Sequence, residues 1–289
     1  MVKKLIEELL KEKYGDFKLV RLTGGYTNET FLLTGSHPPL VIKVAKTINA
    51  DIENEINCLK ITHKTGITPK IYDLIKTNDI QIIVMEYKKG INGQTILDNN
   101  ELEKTKELYK SLGESLAKSI HSNLYNKTSG IYECNLNELN FHLDFVPENL
   151  ITNSKILLKN INDTKDEWVL THGDYEIHNV LYTDSNTLTI LDWEWAEWAN
   201  PQTDIGWVCW FTKLHYPEDA DSLISLFIEE YRKYKPVHIS PETLKAYCVY
   251  KVWKVLHKVE KSPKEVQEEW IRRLEWTIDT DIITFPLNS

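Results

Sequence analysis

Asp174, Asn179 and Asp192 are the residues whose types and spacing could do chemistry together. Asp174 and Asn179 sit in LTHGDYEIHNVLY (170–182), and Asp192 closes the apolar run TIL (189–191). Short strand-like runs lie on either side, so all three side chains are delivered to the same end of adjacent strands. Two carboxylates and an amide oxygen are hard donors that suit Mg2+, an ion that keeps part of its shell for phosphate oxygens. Taken singly, Asp and Asn beside a turn cap the backbone at least as often.

Other candidates lie far upstream. Lys43 stands in the middle of the apolar run LVIKVA (40–45), and Glu55 lies twelve residues on, at helical spacing to Leu59 and Gly66. A lone strand lysine can equally guard an edge. Glu53 falls on a different helical face and reads as a solvated charge. Gly24-Gly25-Tyr26-Thr27-Asn28 is a glycine turn between two extended segments.

With these elements in order, H-G-D-x-x-x-x-N followed by I-x-D-W-E resembles the aminoglycoside phosphotransferase and choline kinase family, relatives of protein kinases. The resemblance covers nearly the whole chain and implies a protein-kinase-like bilobal α+β fold. It implies Mg2+ and ATP or GTP as cofactors. Asp174 would orient the acceptor hydroxyl and take its proton, Asn179 and Asp192 would hold the metal, and Lys43, fixed by Glu55, would contact the α and β phosphates. Gly24, Gly25, Tyr26 and Thr27 would cover the phosphates, and Met85, Glu86 and Tyr87 would form the adenine-contacting hinge. His172 takes a structural place, and Asp204 would support the catalytic loop through its backbone, a role compatible with an acid at a helix N-terminus. The two adjacent glycines depart from the spread glycines of protein kinases and leave ATP against GTP open.

The elements that must position these residues follow from periodicity. Leu5, Ile6, Leu9 and Leu10 space an amphipathic first helix. Strands are expected over 17–22, 29–33, 40–45, 71–76 and 80–87, with a helix over 51–64. Residues 1–87 thus form a small antiparallel sheet plus helix, a nucleotide-binding lobe. The polar stretch 88–93 is the linker, and 94–289 is a mainly helical catalytic and acceptor-binding lobe. In it Leu108, Leu112, Leu116 and Ile120 mark one helix face, 134–150 is irregular, and about four helical segments follow Thr203.

Charge is unevenly spread over the 289 residues. Residues 1–90 carry 14 Lys+Arg against 11 Asp+Glu, net +3, and residues 91–289 carry 20 against 32, net −12. All nine Trp lie in the latter segment. Trp207 and Trp210 read as core. Trp195 and Trp198, interleaved with Glu194 and Glu197, read as a cleft wall for a cation, with Asp144, Glu148 and Glu176 as further candidate ligands. His178 could face that cleft or pack the loop. Asp204 lies only twelve positions after Asp192 and no A-P-E follows, so a peptide would lack its platform and a small molecule is expected. The H-G-D form resembles the drug-modifying, antibiotic-resistance branch, which favours an aminoglycoside-type acceptor. Choline or another amino alcohol is the alternative, although choline kinases carry Asn where Gly173 stands, and other metabolite kinases share the fold. A non-catalytic nucleotide-binding pseudokinase would be marked by loss of Lys43, Asp174 or Asp192, and none is lost.

The acidic balance argues against nucleic acid. No window suits a membrane span or a signal peptide. The scattered Cys58, Cys134, Cys209 and Cys248 read as buried small hydrophobes, so a cytoplasmic protein is expected. If Lys43 serves the nucleotide, Lys43→Ala weakens nucleotide use in steady-state kinetics; a change confined to acceptor affinity would contradict the two-lobe reading.

Overall fold

A computed structural model describes residues 2–22, 28–35, 38–45, 50–161, 163–183 and 187–285. Helix α1 (Val2–Tyr14) leads into β1 (Lys18–Arg21), β2 (Glu29–Thr34), β3 (Leu40–Ala45), α2 (Ala50–Thr62), β4 (Ile71–Lys76) and β5 (Gln81–Glu86). There follow β6 (Ile91–Asn92), α3 (Gly93–Asp98), α4 (Leu102–Ser115), β7 (Tyr132–Glu133), α5 (Glu148–Leu158), β8 (Val169–Thr171), β9 (Val180–Tyr182), β10 (Leu188–Ile190) and β11 (Glu197–Ala199). Four helices finish the chain: α6 (Gln202–His215), α7 (Ala220–Tyr234), α8 (Pro241–Lys258) and α9 (Lys264–Asp279).

The first five strands form an antiparallel sheet in the order β1-β2-β3-β5-β4. Alternation along β3 decides what each residue faces. Leu40, Ile42 and Val44 join Leu33, Ile82 and Val84 beneath Ile6 and Leu10 of α1. Ala45 joins the other core, with Ile52 and Ile56 of α2, and Lys43 points to that same side. The unbroken apolar run around Lys43 thus reflects a strand covered on both faces.

Two three-stranded sheets, β10-β9-β6 and β7-β11-β8, carry the loops of the second lobe. The stretch 88–93 contains β6, whose Ile91 and Asn92 pair antiparallel with Tyr182 and Leu181 of β9. Strands β7 and β11 and helix α5 are elements the periodicity did not reveal. The two strands are too short to show an alternation, and α5 begins at the end of the irregular stretch.

Leu108, Leu112, Leu116 and Ile120 are fully buried along one face. Helix α4 ends at Ser115 and continues as a π turn over Leu116–Ile120, closed by the His121 N–H to the Leu116 carbonyl at 2.8 Å. The wider turn leaves His121 buried, where its ring meets Tyr231 Oη at 2.8 Å and Asp204. All four cysteines are buried and unpaired. Among the described residues no helix is long and apolar enough to cross a membrane.

Helices α4 and α7 meet at Gly113, where an added Cβ would lie 2.3 Å from the Phe227 carbonyl oxygen and 2.9 Å from the Tyr231 nitrogen. Both obstacles are backbone. Gly113→Ala would gain about 1 kcal/mol of helix propensity, yet the clash costs about 3 kcal/mol. The net result is a Tm lowered by several degrees in a thermal melt; an unchanged Tm would show that the two helices can separate freely.

Candidate active site

Strand β3 presents Lys43 to α2. Its Nζ donates to Glu55 Oε2 at 2.7 Å and to Asp192 Oδ1 at 2.8 Å, with Glu194 Oε2 at 3.7 Å. Burial alone would lower the ammonium's pKa, but Glu55, Asp192 and Glu194 hold it above the ordinary lysine value. Glu53 points elsewhere, to Lys76 and to Gln81 Nε2 at 2.7 Å.

Helix α2 is itself anchored through Asn54, the residue before Glu55. Its Nδ2 donates to the Ala196 and Glu194 carbonyls at 2.7 and 3.3 Å, and its Oδ1 accepts from the Tyr132 N–H at 3.0 Å. Asn28 adds a link from the first lobe, its Nδ2 donating to Glu194 Oε2 at 3.0 Å. Glu194 is thus drawn into the lysine cluster. Gly24, Gly25, Tyr26 and Thr27 lie outside the described residues. Met85 is buried within the sheet ladder, and β5 ends at Glu86, so backbone groups beyond the ladder begin at the half-exposed Tyr87.

The loop from His172 to Asn179 bridges β8 and β9 and is pinned by Asp204 in the first turn of α6. Asp204 Oδ2 accepts the His172 N–H at 2.7 Å and Oδ1 the Gly173 N–H at 2.9 Å, while His121 Nε2 meets Oδ2 at 3.2 Å. Gly173 has φ +77°, and a Cβ there would lie 2.0 Å from the Trp195 carbonyl oxygen, so only glycine fits. His172 Nδ1 accepts the Asp174 N–H at 3.3 Å, which places its proton on Nε2, facing the Leu191 carbonyl at 2.9 Å. Leu191 in turn donates its N–H to the Asn179 carbonyl at 2.8 Å. Both ends of Leu191 are thus tied to the loop, and the next residue, Asp192, sits at φ +62°, a strained region that aspartate tolerates.

Asp174 keeps 29% of its side chain exposed, enough for a hydroxyl to reach it. Its Oδ1 accepts from Trp207 Nε1 at 3.1 Å and its Oδ2 from Asn179 Nδ2 at 2.9 Å. Burial pushes the carboxyl up, but the nearby His178 imidazolium, 3.8 Å from Oδ2, helped by the charges of Lys251 and His172, holds it at about 2. Glu176, buried beside it and 3.1 Å from His178 Nδ1, is pushed up to about 7 by burial. Burial lowers His178, yet Asp174 and Glu176 raise it to about 10.

The donor set fits a divalent cation. Asn179 turns its amide nitrogen to two acceptors, the Asp174 carbonyl and carboxylate, so its oxygen is the atom it can offer a metal. Three carboxylates, Glu55, Asp192 and Glu194, surround the single ammonium of Lys43. A dication bound there would be set against these carboxylates.

The expected tryptophan and glutamate wall requires correction. Trp198 is buried, its Nε1 donating to Ser129 Oγ at 2.8 Å, so it cannot line a cleft. Glu197 is buried on β11 and pairs with Lys254 at 2.7 Å. The Trp195 ring already has cations over it, with Lys251 and Lys258 each 5.0 Å and Lys254 5.8 Å from its centroid. Asp144 and Glu148 are exposed, the latter in the first turn of α5. Trp207, read as core, is buried but also bonds Asp174. Its position three residues after Asp204 on α6, one helical turn on, was the available signal.

The phosphotransferase enzyme family model matches residues 18–129 and 138–237. A search of curated proteins by sequence returns no match. Among solved structures, amicoumacin kinase hAmiN, in complex with AMP-PNP, Ca2+ and Ami, superposes with a TM-score of 0.73 at 14% identity, covering 99% of this chain and 96% of its own. A thermostable mutant of aminoglycoside phosphotransferase APH(4)-Ia, with AMP-PNP and hygromycin B, gives 0.73 at 15% identity over 94% and 97%. A microcompartment-associated aminopropanol kinase gives 0.69 at 14% identity over 95% of each chain.

His121 is lowered below its ordinary value of 6.5 by burial, against the opposing pull of Asp204. Its stabilising contribution is therefore full above pH 6.5 and is lost as pH falls through the folded value. The Tm difference between wild type and His121→Gln, which cannot ionise, is expected to shrink on acidification from pH 7 to 5. A constant difference would contradict a buried neutral imidazole.

Proposed function

The chain belongs to the phosphotransferase enzyme family, and from that premise we propose that it moves the γ-phosphoryl group of ATP or GTP to a hydroxyl of a small cationic molecule, of aminoglycoside type. The observation that carries the reading is Lys43 held by Glu55 and Asp192 while Asp174 stands on a loop tied to that same aspartate segment. Nucleotide would enter between residues 1–87 and the lobe beginning at 94, with its phosphates toward Lys43. Asn179 and Asp192 would hold Mg2+, whose charge, when bound, would be set against the phosphate oxygens. Asp174, ionised at any working pH, would accept the hydrogen bond of the acceptor hydroxyl and then its proton. Trp207 and Asn179 fix the two oxygens of its carboxylate, so the rate would come from positioning and charge neutralisation.

A small acceptor is supported by what fills the eleven residues between Asp192 and Asp204. Trp193 is buried against His172, and β11 is paired on both sides by β7 and β8. The chain then enters α6, which leaves no projecting segment to hold a peptide. Asp174 keeps an open carboxylate edge toward the acceptor, whereas Glu176 is buried and shared with His178. The acceptors named for the solved relatives, hygromycin B and an aminopropanol, agree with an amine-bearing alcohol.

The test is a coupled kinase assay over aminoglycosides, choline, ethanolamine, aminopropanol, homoserine and neutral sugars, each with ATP and GTP. Turnover of amine-bearing alcohols is expected. Preference for neutral sugars would overturn the acceptor class, and tight nucleotide binding without any transfer would favour a pseudokinase. With the acceptor found, Asp174→Ala should lower kcat by roughly 10³-fold or more with a nearly unchanged thermal transition.

A further inference from the structure

Lys251 is a buried titratable group with no role in the mechanism above. It lies on α8, is 1% exposed, and donates from Nζ to the Gly173 carbonyl. Its ammonium sits 5.0 Å from the Trp195 ring centroid and 5.6 Å from that of Trp207. We propose that Lys251 is the positioning residue for Asp174, holding the peptide that carries the base through a charge confined between two indoles. This rests on the phosphoryl-transfer reading.

The argument starts from the glycine. Gly173 must be glycine because the Trp195 carbonyl fills the space of a Cβ, and glycine brings the softest torsions of any residue to the position before the base. That softness is countered on each side. The Gly173 N–H is held by Asp204 at 2.9 Å and its carbonyl by Lys251. The peptide joining Gly173 to Asp174 is therefore gripped at its oxygen by Lys251 and at its N–H by His172, 3.3 Å away. Rotation of that peptide would swing the Asp174 carboxylate, and both handles for the rotation are occupied. Trp207 couples the two, since its ring faces the Lys251 ammonium while its Nε1 donates to Asp174 Oδ1 at 3.1 Å.

The clamp is sensitive to charge. A neutral amine is a weaker donor to the carbonyl and loses its attraction to the indole faces. The charged groups acting on Lys251 are Lys254 on α8, Glu197 on β11, Asp174 and Glu176 on the loop and Asp204 on α6. Burial lowers the ammonium to about 8, Lys254 adds to that, and the carboxylates oppose it. Wild-type kcat should therefore fall as pH rises through about 8.

The test compares wild type, Lys251→Met and Lys254→Met across pH 6 to 10, reading kcat, nucleotide KM and tryptophan fluorescence. Lys251→Met keeps the aliphatic stem between the indoles. It should lower kcat about 10- to 100-fold at neutral pH, leave nucleotide KM within about twofold, and abolish both the alkaline limb and the fluorescence transition near pH 8. Lys254→Met removes the cation that helps lower Lys251 and frees Glu197, so limb and transition should move to higher pH. Wild-type kcat in Lys251→Met, or a reduced kcat with the alkaline limb intact, would overturn the proposal. Should Lys251→Met fail to fold, an alkaline limb that does not rise in Lys254→Met overturns it. If wild type transfers phosphoryl to no acceptor, the functional reading has failed, and the fluorescence transition with its upward shift in Lys254→Met decides on Lys251 alone.

Discussion

One ammonium group shared by three carboxylates joins the two lobes of this molecule. Lys43 comes from the N-terminal sheet, Glu55 from α2, and Asp192 and Glu194 from the segment after β10. A buried lysine without partners would give up its proton; here it stays charged because the sheet, the helix and the second lobe meet around it. Among the described residues the three carboxylates outnumber the one ammonium, which is the charge pattern on which the proposed cation and phosphate binding rests. Charge balance in a mostly desolvated space thus links fold to chemistry.

Deeper in the second lobe, another buried carboxylate has the corresponding role. Asp204 collects two backbone N–H groups and the His121 imidazole, and the π turn after α4 places that imidazole. His172 and Leu191 carry the order onward to Asp192, the imidazole bonding the Leu191 carbonyl and the Leu191 N–H donating to the Asn179 carbonyl. The loop with Asp174 and the segment with Asp192 behave as one unit because each holds the main chain of the other.

The charge asymmetry takes on a different meaning in this setting. Some acidic residues beyond residue 90 are internal: Asp204 receives backbone donors, Glu194 meets Lys43 and Asn28, and Glu197 meets Lys254. The tryptophans after Asp192 are mostly internal as well. Trp193 packs on His172, Trp198 anchors β11 to Ser129, and Trp207 and Trp210 stack at 4.4 Å. Trp195, expected to receive a cation from an acceptor, receives lysines of α8 instead. Composition counted these groups correctly but could not say which cations they meet.

The sequence by itself determined the α+β architecture, the strand carrying Lys43, the helix carrying Glu55 and the delivery of Asn179 and Asp192 to one end of the paired strands β9 and β10, whereas Asp174 follows β8, which pairs in another sheet and not beside them. These follow from periods of two and 3.6 residues and from short fixed spacings, both of which are local. Only the tertiary structure decided that Lys251 reaches Gly173, that Trp207 bonds Asp174, that Asn54 ties α2 to the second lobe, and that Trp198 and Glu197 are buried. Those contacts join residues 33 to 142 positions apart or depend on a three-residue strand. Such pairings arise when helices dock by shape and charge, and no local period encodes which partner a buried side chain meets.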